Sequence, residues 1–204
     1  LGPIWSIPWR NRYIPATEPK WSKHVKWVIF AAALAAVIPF SQWLRKNPRY
    51  ITKVWVLFGL LPFALNQQIT FIDWAGWPGY VKGLQVTAID LLALAIFINL
   101  PRTRSPIPFR FIFGLYFVAV VVSIFNASVW MAAVFYAWQL IRIFFIYFVV
   151  MRASTDERVP RAILTGMAIG LCYQALLTVW QRFGLGILQA GGTYGDQNLL
   201  GLVS

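Results

Sequence analysis

The sequence predicts an all-α fold: a polytopic transmembrane helical bundle with about six spans plus the start of a seventh. Three observations support this prediction. Of the 204 residues, 59% are hydrophobic and only 12% are charged, whereas soluble domains carry about 25% charged residues. The apolar residues form runs close to the roughly 20 residues that a spanning helix needs. The 11 Trp and 8 Tyr residues suit helices that cross two interfaces repeatedly, because amphipathic rings collect there.

The apolar runs define the predicted elements in order. Lipid offers the backbone no hydrogen-bond partner, so each run is predicted to be helical. The runs cover residues 25–44, 51–66, 81–100, 109–126, 129–151 and 160–183, and a seventh begins near Asn198. The chain does not begin with Met and ends at Ser204 inside the seventh run. We therefore expect a fragment of a longer protein, whose transmembrane domain over 25–204 is truncated at its C-terminal end.

The connectors between these runs alternate in charge, which predicts their sides of the membrane. Connectors rich in Lys and Arg are predicted to be cytoplasmic. They follow the first, third and fifth runs and include Arg45, Lys46, Arg49, Arg102, Arg104, Arg152 and Arg158. The intervening connectors, which include 67–80 and 184–198, contain no Lys or Arg. These are predicted to be external.

The first segment, residues 1–24, breaks this alternation. It carries Arg and Lys residues between positions 10 and 23, although counting the spans back places it outside. Three explanations stay open: the run 25–44 does not fully cross, the segment is external despite its charge, or upstream sequence overrides it. Its Trp and Tyr residues interleave with the basic ones, which predicts a segment lying along the membrane interface.

The net charge of +12 does not indicate nucleic-acid binding, because the basic residues lie in connectors and not along one stripe. No nucleic-acid partner is expected. The sequence has one His and one Cys, which are too few to build a metal site. We therefore expect neither a metal ion nor another cofactor.

Two ionisable residues fall near the middle of predicted spans: Asp90 in 81–100 and Arg142 in 129–151. Each is costly alone in hydrocarbon, and such residues usually pair or mark a functional site. Both lie at a similar depth when counted from the external ends, so we predict a contact between them. One interpretation is a structural intramembrane pair that pins two helices. The other is a proton or ion relay.

Arg182 ends the sixth run close to Trp180, on the side predicted to be external. One interpretation is an arginine that snorkels to the interface beside an aromatic ring. The other is a cation that faces the external loop and holds a phosphate through two parallel hydrogen bonds. Both interpretations stay open at this point.

A glycine-rich polar loop over residues 191–201 opens the seventh run. Its three glycines allow positive φ angles and close backbone approach, and Asp196 or Asn198 can cap the following helix. The amides of such a helix start can face an anion. A turn with a cap, and nothing more, is the competing interpretation. The loop is not a P-loop, because no Gly-Lys-Ser/Thr follows the glycines.

Within this loop, the stretch Gly192-Thr193-Tyr194-Gly195-Asp196-Gln197-Asn198-Leu199-Leu200 resembles the Gly-Thr-Phe-Gly-x-Pro-Asn-x-Leu/Ala signature of the O-antigen ligase and O-antigen polymerase superfamily. In that family the motif lies in an external loop and opens a transmembrane helix, which is its predicted position here. The sequence departs from the family pattern at Gln197, where proline is usual. It also departs at Gln189, near which the family usually has an arginine thought to hold the donor diphosphate.

The resemblance implies the N-terminal half of a multi-pass glycosyltransferase of the bacterial inner (cytoplasmic) membrane. Such an enzyme moves a glycan from an undecaprenyl-diphosphate carrier to an acceptor, a glycan or lipid A-core, on the periplasmic face, and needs no metal. We expect Tyr194 and Asn198 to shape the sugar–diphosphate pocket, and the loop from Gly192 and Thr193 to bring backbone amides close to the substrate. Because the family's arginine is absent, the phosphate is left to Arg182 or to sequence beyond this stretch. The catalytic residues of the family lie in sequence that would follow this stretch.

Two other classes of protein stay open. A transporter or lipid-linked glycan flippase would use Asp90 and Arg142 as an intramembrane polar site, and the loop would serve only as a cap. A non-catalytic membrane scaffold would need neither the loop nor the charged pair for chemistry. A transporter is often built from inverted repeats, and no internal repeat is evident in this sequence.

Overall fold

The computed structural model describes residues 23–64, 68–73, 83–100, 108–187 and 190–193. The interfacial segment predicted over 1–24 lies almost entirely outside the described residues. The seventh run, predicted to begin near Asn198, also lies outside them.

The described residues form six α-helices and one two-stranded sheet. In chain order these are α1 (Lys23–Lys46), α2 (Ile51–Ala64), β1 (Gln68–Asp73), β2 (Gly83–Thr87), α3 (Ala88–Asn99), α4 (Arg110–Asn126), α5 (Trp130–Ala153) and α6 (Arg158–Val179). A 3₁₀ turn over Pro48–Tyr50 joins α1 to α2, and α6 continues into one π-helical turn over Trp180–Gly184. The helices follow the predicted runs closely, except in the run 81–100.

Three helical segments are long and apolar enough to cross a membrane: Trp27–Lys46, Trp130–Ala153 and Arg158–Gly184. Two further apolar helices, Ala88–Asn99 and Arg110–Asn126, are shorter. The described part of the chain is therefore mostly helical and has helices suited to a membrane. Three of its helical segments, not six, reach the length of a full span.

The helix predicted over 81–100 is wrong in its first part, so the described residues are mostly, and not entirely, helical. Strand β2 pairs antiparallel with β1, from Gln68 opposite Thr87 to Asp73 opposite Gly83, and α3 begins only after the strand. Strand β2 alternates apolar and polar side chains, and β1 is rich in β-branched residues. Both features favour strands. The high apolar content of the whole run concealed this change of period.

The helix ends that carry the basic connectors lie together at one end of the bundle. A buried core there joins Leu44 near the end of α1, Val54 near the start of α2 and Val149 near the end of α5, and it includes the start of α6. Helix α3 ends at the same level, because the Asn99 side chain donates to the Ser41 carbonyl and hydroxyl over 3.0 and 2.9 Å. Helices α1, α3 and α5 therefore run toward this end, while α2 and α6 run away from it.

Helices α2 and α6 run parallel and touch backbone to backbone. A Cβ atom added to Gly59 of α2 would overlap the carbonyl oxygen of Ile163, and one added to Gly166 of α6 would overlap that of Val56. Gly166 and Gly170 form a Gly-x-x-x-Gly pair on the contact face of α6. Small residues at this spacing let apolar helices approach closely and gain dispersion energy. The contact leaves no room for a side chain at either crossing glycine.

We expect Gly166→Ala to lower the free energy of unfolding by about 1–3 kcal/mol, the usual cost of forcing extra atoms into a packed contact. The melting temperature of the detergent-purified protein measures this. Gly114→Ala is the matched control, because a Cβ on Gly114 of α4 meets nothing within 4 Å and alanine favours the helix. Equal melting temperatures for the two variants would contradict the close α2–α6 contact.

Candidate functional site

Two glutamines on one side of α6 and its π-helical turn hold the start of the glycine-rich loop. Gln174 and Gln181 are seven residues apart, which places them on the same helix face. Gln174 is only 3% exposed. Their side-chain amides bind Gly192 and Thr193, the first two residues of the motif. We call these four residues the amide clamp.

Gln181 pairs with Gly192 as one backbone amide pairs with another. Its Nε2 donates to the Gly192 carbonyl over 3.0 Å, and the Gly192 N–H donates to its Oε1 over 2.9 Å. Gly192 has a φ of +58°, a conformation that glycine adopts without steric cost. The side chain thus satisfies both backbone groups of a residue that belongs to no helix or strand.

Gln174 binds Thr193 and the end of α2 together. The Thr193 N–H donates to Gln174 Oε1 over 3.1 Å, and Gln174 Nε2 donates to both Thr193 Oγ1 and the Phe63 carbonyl. Thr193 Oγ1 also donates to the Phe63 carbonyl, over 3.1 Å. Phe63 lies in the last turn of α2, where carbonyl groups have no partner within the helix. The clamp therefore joins the end of α2, the last third of α6 and the loop.

The chain reverses between α6 and the clamp through a π-helical turn and a left-handed glycine. The Leu185 N–H donates to the Trp180 carbonyl over 3.1 Å, which closes the wider turn. Gly186, with a φ of +66°, then turns the chain back toward α6. Such single π turns are frequent at functional sites. Arg182 lies within this turn, is exposed and directly follows the clamp residue Gln181.

The structure describes three of the five residues expected to bind substrate. Gly192 and Thr193 are held in the clamp, and Arg182 lies in the neighbouring turn. Tyr194 and Asn198 lie outside the described residues. Gln174, which positions the loop, was not among the residues predicted from the sequence. Its position in an apolar run could have indicated this role, because a polar amide in an apolar span needs a partner.

The clamp limits what its own backbone can do for a ligand. The N–H groups of Gly192 and Thr193 already donate to glutamine oxygens, so neither is open to an anion. Close approach by these two backbone amides, which the glycines led us to expect, is not their role in this arrangement. Gly192 and Thr193 instead form a fixed support from which the following motif residues extend.

A second polar site surrounds Asp90, which does not lie in mid-helix as predicted. Asp90 is the third residue of α3, and Thr87 is the N-cap. The Thr87 N–H and Oγ1 donate to Asp90 Oδ2 over 2.7 and 2.8 Å. This capping box satisfies backbone donors that a helix start leaves open. The strand that replaces the first part of the predicted helix moves Asp90 to the helix start.

Arg142, near the middle of α5, binds Asp90, and the predicted contact is present. Its Nε and Nη2 lie 2.9 and 2.6 Å from Asp90 Oδ2, and each side chain is 12% exposed. The guanidinium also donates from Nη1 to Gln139 Oε1 over 2.8 Å and from Nη2 to Thr87 Oγ1 over 3.0 Å. The carboxylate and guanidinium therefore neutralise each other between α3 and α5.

Further hydrogen bonds join the β-hairpin formed by β1 and β2 to α5. Gln139 Nε2 donates to Gln85 Oε1 over 3.2 Å, and Trp138 Nε1 donates to the Gln85 carbonyl over 2.9 Å. Asp90 Oδ1 is buried and has no hydrogen-bond partner among the described residues. We call the side chains of Gln85, Thr87, Asp90, Gln139 and Arg142 the polar cluster. Their bonds hold one strand and one helix start against α5, which fits a structural pair.

No protein-family model matches this sequence, and neither a curated protein nor a solved structure matches it. The function is therefore inferred from the motif, the amide clamp and the polar cluster.

We expect Gln174→Ala to release the loop from α6. The substitution leaves the Thr193 N–H and the Phe63 carbonyl with fewer partners, which costs about 1–3 kcal/mol for buried groups. Hydrogen exchange of peptides covering 190–193 should speed up. Gln42→Ala is the matched control, because Gln42 is an exposed glutamine of α1. Unchanged exchange at Thr193 would show that Gln174 does not hold the loop.

We expect Arg142→Leu to destabilise the protein by about 3 kcal/mol, because it leaves a mostly buried carboxylate without its counter-ion. Adding Asp90→Asn should restore part of this loss, and thermal unfolding in detergent measures both effects. Arg161→Leu is the control, because the Arg161–Glu157 pair is more than 80% exposed and such pairs contribute little. A double variant no more stable than Arg142→Leu would contradict charge coupling in the pair.

Proposed function

We propose that this chain is part of a membrane glycosyltransferase of the O-antigen ligase or polymerase type, located in the bacterial inner membrane. The observation that carries the proposal is the amide clamp. Gln174 and Gln181 hold Gly192 and Thr193, the first residues of the motif, against the ends of two parallel helices. Three hydrogen bonds from side-chain amides to the backbone of Gly192 and Thr193 fix this loop, and a substrate-binding loop needs such a fixed geometry.

The proposed topology has six spans plus the start of a seventh, with the clamp on the periplasmic face. The helix directions support it, because the basic connectors gather at one end. The clamp involves the last turn of α2, which runs away from that end. Lys and Arg favour the cytoplasmic side, so the clamp belongs on the opposite side. The short helix α3 is proposed to complete its crossing together with the hairpin.

The proposed reaction is a displacement at the anomeric carbon of a lipid-linked glycan. An acceptor hydroxyl oxygen bonds to that carbon, the bond to the diphosphate oxygen breaks, and undecaprenyl diphosphate leaves with the electron pair. The acceptor proton passes to a base, which the resemblance puts in sequence after this stretch. Negative charge grows on the leaving oxygen, and fixed cations stabilise it. Arg182 is the proposed cation of this chain, with Tyr194 and Asn198 shaping the pocket.

A transporter or flippase is the weaker candidate. It would need Asp90 and Arg142 to bind or release an ion during transport. In the polar cluster, however, both side chains bind the N-cap residue Thr87 of α3. Ionisable residues that relay protons usually belong to chains of such groups. The bonds of the pair support a role in holding α3 and the hairpin against α5.

We expect Arg182→Ala and Asn198→Ala to reduce glycan transfer while the protein stays at its normal level in the membrane. Arg182→Lys should also transfer poorly, because lysine lacks the planar fork that binds a phosphate through two hydrogen bonds. Transfer from an undecaprenyl-diphosphate-linked glycan to lipid A-core or to a second glycan, by the full-length protein, is the measurement.

Arg161→Ala is the matched control, because Arg161 is an exposed arginine in the first turn of α6, at the opposite end of that helix. It should transfer at the normal rate. Wild-type transfer by both Arg182→Ala and Asn198→Ala would remove these residues from the site.

A further inference from the structure

A strand lies beside the middle of a helix that is long enough to cross a membrane. Trp138, which binds the Gln85 carbonyl, is eight residues after the start of α5. At 1.5 Å per residue this is about 12 Å along the axis, and Arg142 is about 18 Å along it. The helix has 24 residues, or about 36 Å. Strand β2 therefore reaches well into the depth that α5 spans.

Non-helical backbone at membrane depth needs protein or water around it, because hydrocarbon cannot satisfy its polar groups. The side chains at this place are polar. Gln85, Thr87 and Gln139 line the contact between β2 and α5, and each is partly exposed. On the same helix and at the same depth, Ile141 and Ile143 are exposed and apolar, as expected of a surface that faces lipid. Helix α5 thus has a polar side and an apolar side at one level.

Asp90 Oδ1 supplies the second observation. It is buried and accepts no hydrogen bond from the described residues, while Oδ2 of the same carboxylate binds both Thr87 and Arg142. A buried carboxylate oxygen without a donor is unfavourable. Arg142 already balances the charge of Asp90, so the missing partner is a neutral donor and not a second cation.

We propose that the polar cluster is the inner end of a water-filled cleft that opens toward the start of α5, and that Asp90 Oδ1 there accepts a hydrogen bond from a hydroxyl group. The hydroxyl belongs either to water or to a sugar. The cleft does not depend on the proposed glycosyl transfer. It requires only that α5 crosses the membrane and that β2 lies against it.

Cysteine accessibility in membranes tests the cleft. The single native cysteine, Cys172, is exposed and is first changed to serine. Gln139→Cys and Ile141→Cys are then treated with a charged, membrane-impermeant methanethiosulfonate from the side on which α5 begins. The reagent needs the thiolate, which forms in water and not in lipid. We expect Gln139→Cys to react faster than Ile141→Cys by about tenfold or more.

Gln85→Cys provides a second reporter on the strand, in case the loss of the Gln139 side chain disturbs folding. Both variants must elute as single, folded species in detergent. Slow labelling of both Gln139→Cys and Gln85→Cys, equal to that of Ile141→Cys, would overturn the cleft. Fast labelling of Ile141→Cys would also overturn it, because the two sides of α5 would then be alike.

The source of the hydroxyl is identified by protection. Glucose and N-acetylglucosamine are added during the labelling of Gln139→Cys, with and without Asp90→Ala. Slower labelling that disappears in Asp90→Ala assigns the donor to a sugar. Unchanged labelling assigns it to water. Glycan transfer is measured separately, so a failed transferase proposal leaves this result standing, and the reverse also holds.

Discussion

The backbone contact between α2 and α6 is the constraint on which the described site depends. Gly59 and Gly166 let the two parallel helices approach until a backbone carbonyl of each helix lies against a glycine of the other helix. That distance brings the last turn of α2 within reach of Gln174. A wider spacing would leave the Phe63 carbonyl without the glutamine and Thr193 without its common partner. The packing of small residues thus decides where the loop begins.

The amide clamp and the polar cluster solve the same physical problem. In each, a helix or strand ends and leaves backbone groups that have no partner within that element. Gln174 and Thr193 bind the carbonyl at the end of α2, and Asp90 binds the N–H at the start of α3. Polar side chains on the long helices α5 and α6 thereby hold shorter elements in place.

The structural role of these polar side chains limits which groups are left for the proposed catalysis. A site for a lipid-linked glycan needs a rigid base at the membrane surface and cations that face the leaving group. In the proposed enzyme the clamp is this rigid base, because the N–H groups of Gly192 and Thr193 are bound to glutamine side chains. Under the proposed function, charge stabilisation is then assigned to side chains such as Arg182, in the exposed turn beside the clamp. Gln189 stands near the position at which the resembled family usually has an arginine, which leaves Arg182 as the proposed cation.

Hydropathy and charge, summed along the chain, were enough to predict the apolar helices, the ends that share one side and the pairing of Asp90 with Arg142. These quantities are local, or follow from counting residues through a membrane. The hairpin, the Gly59–Gly166 contact and the role of Gln174 depended on which elements become neighbours in three dimensions. The sequence of a strand inside an apolar run, or of a glutamine inside a span, does not show which element becomes its hydrogen-bonding neighbour. Only the packing of α2 on α6, and of β2 on α5, supplied those partners.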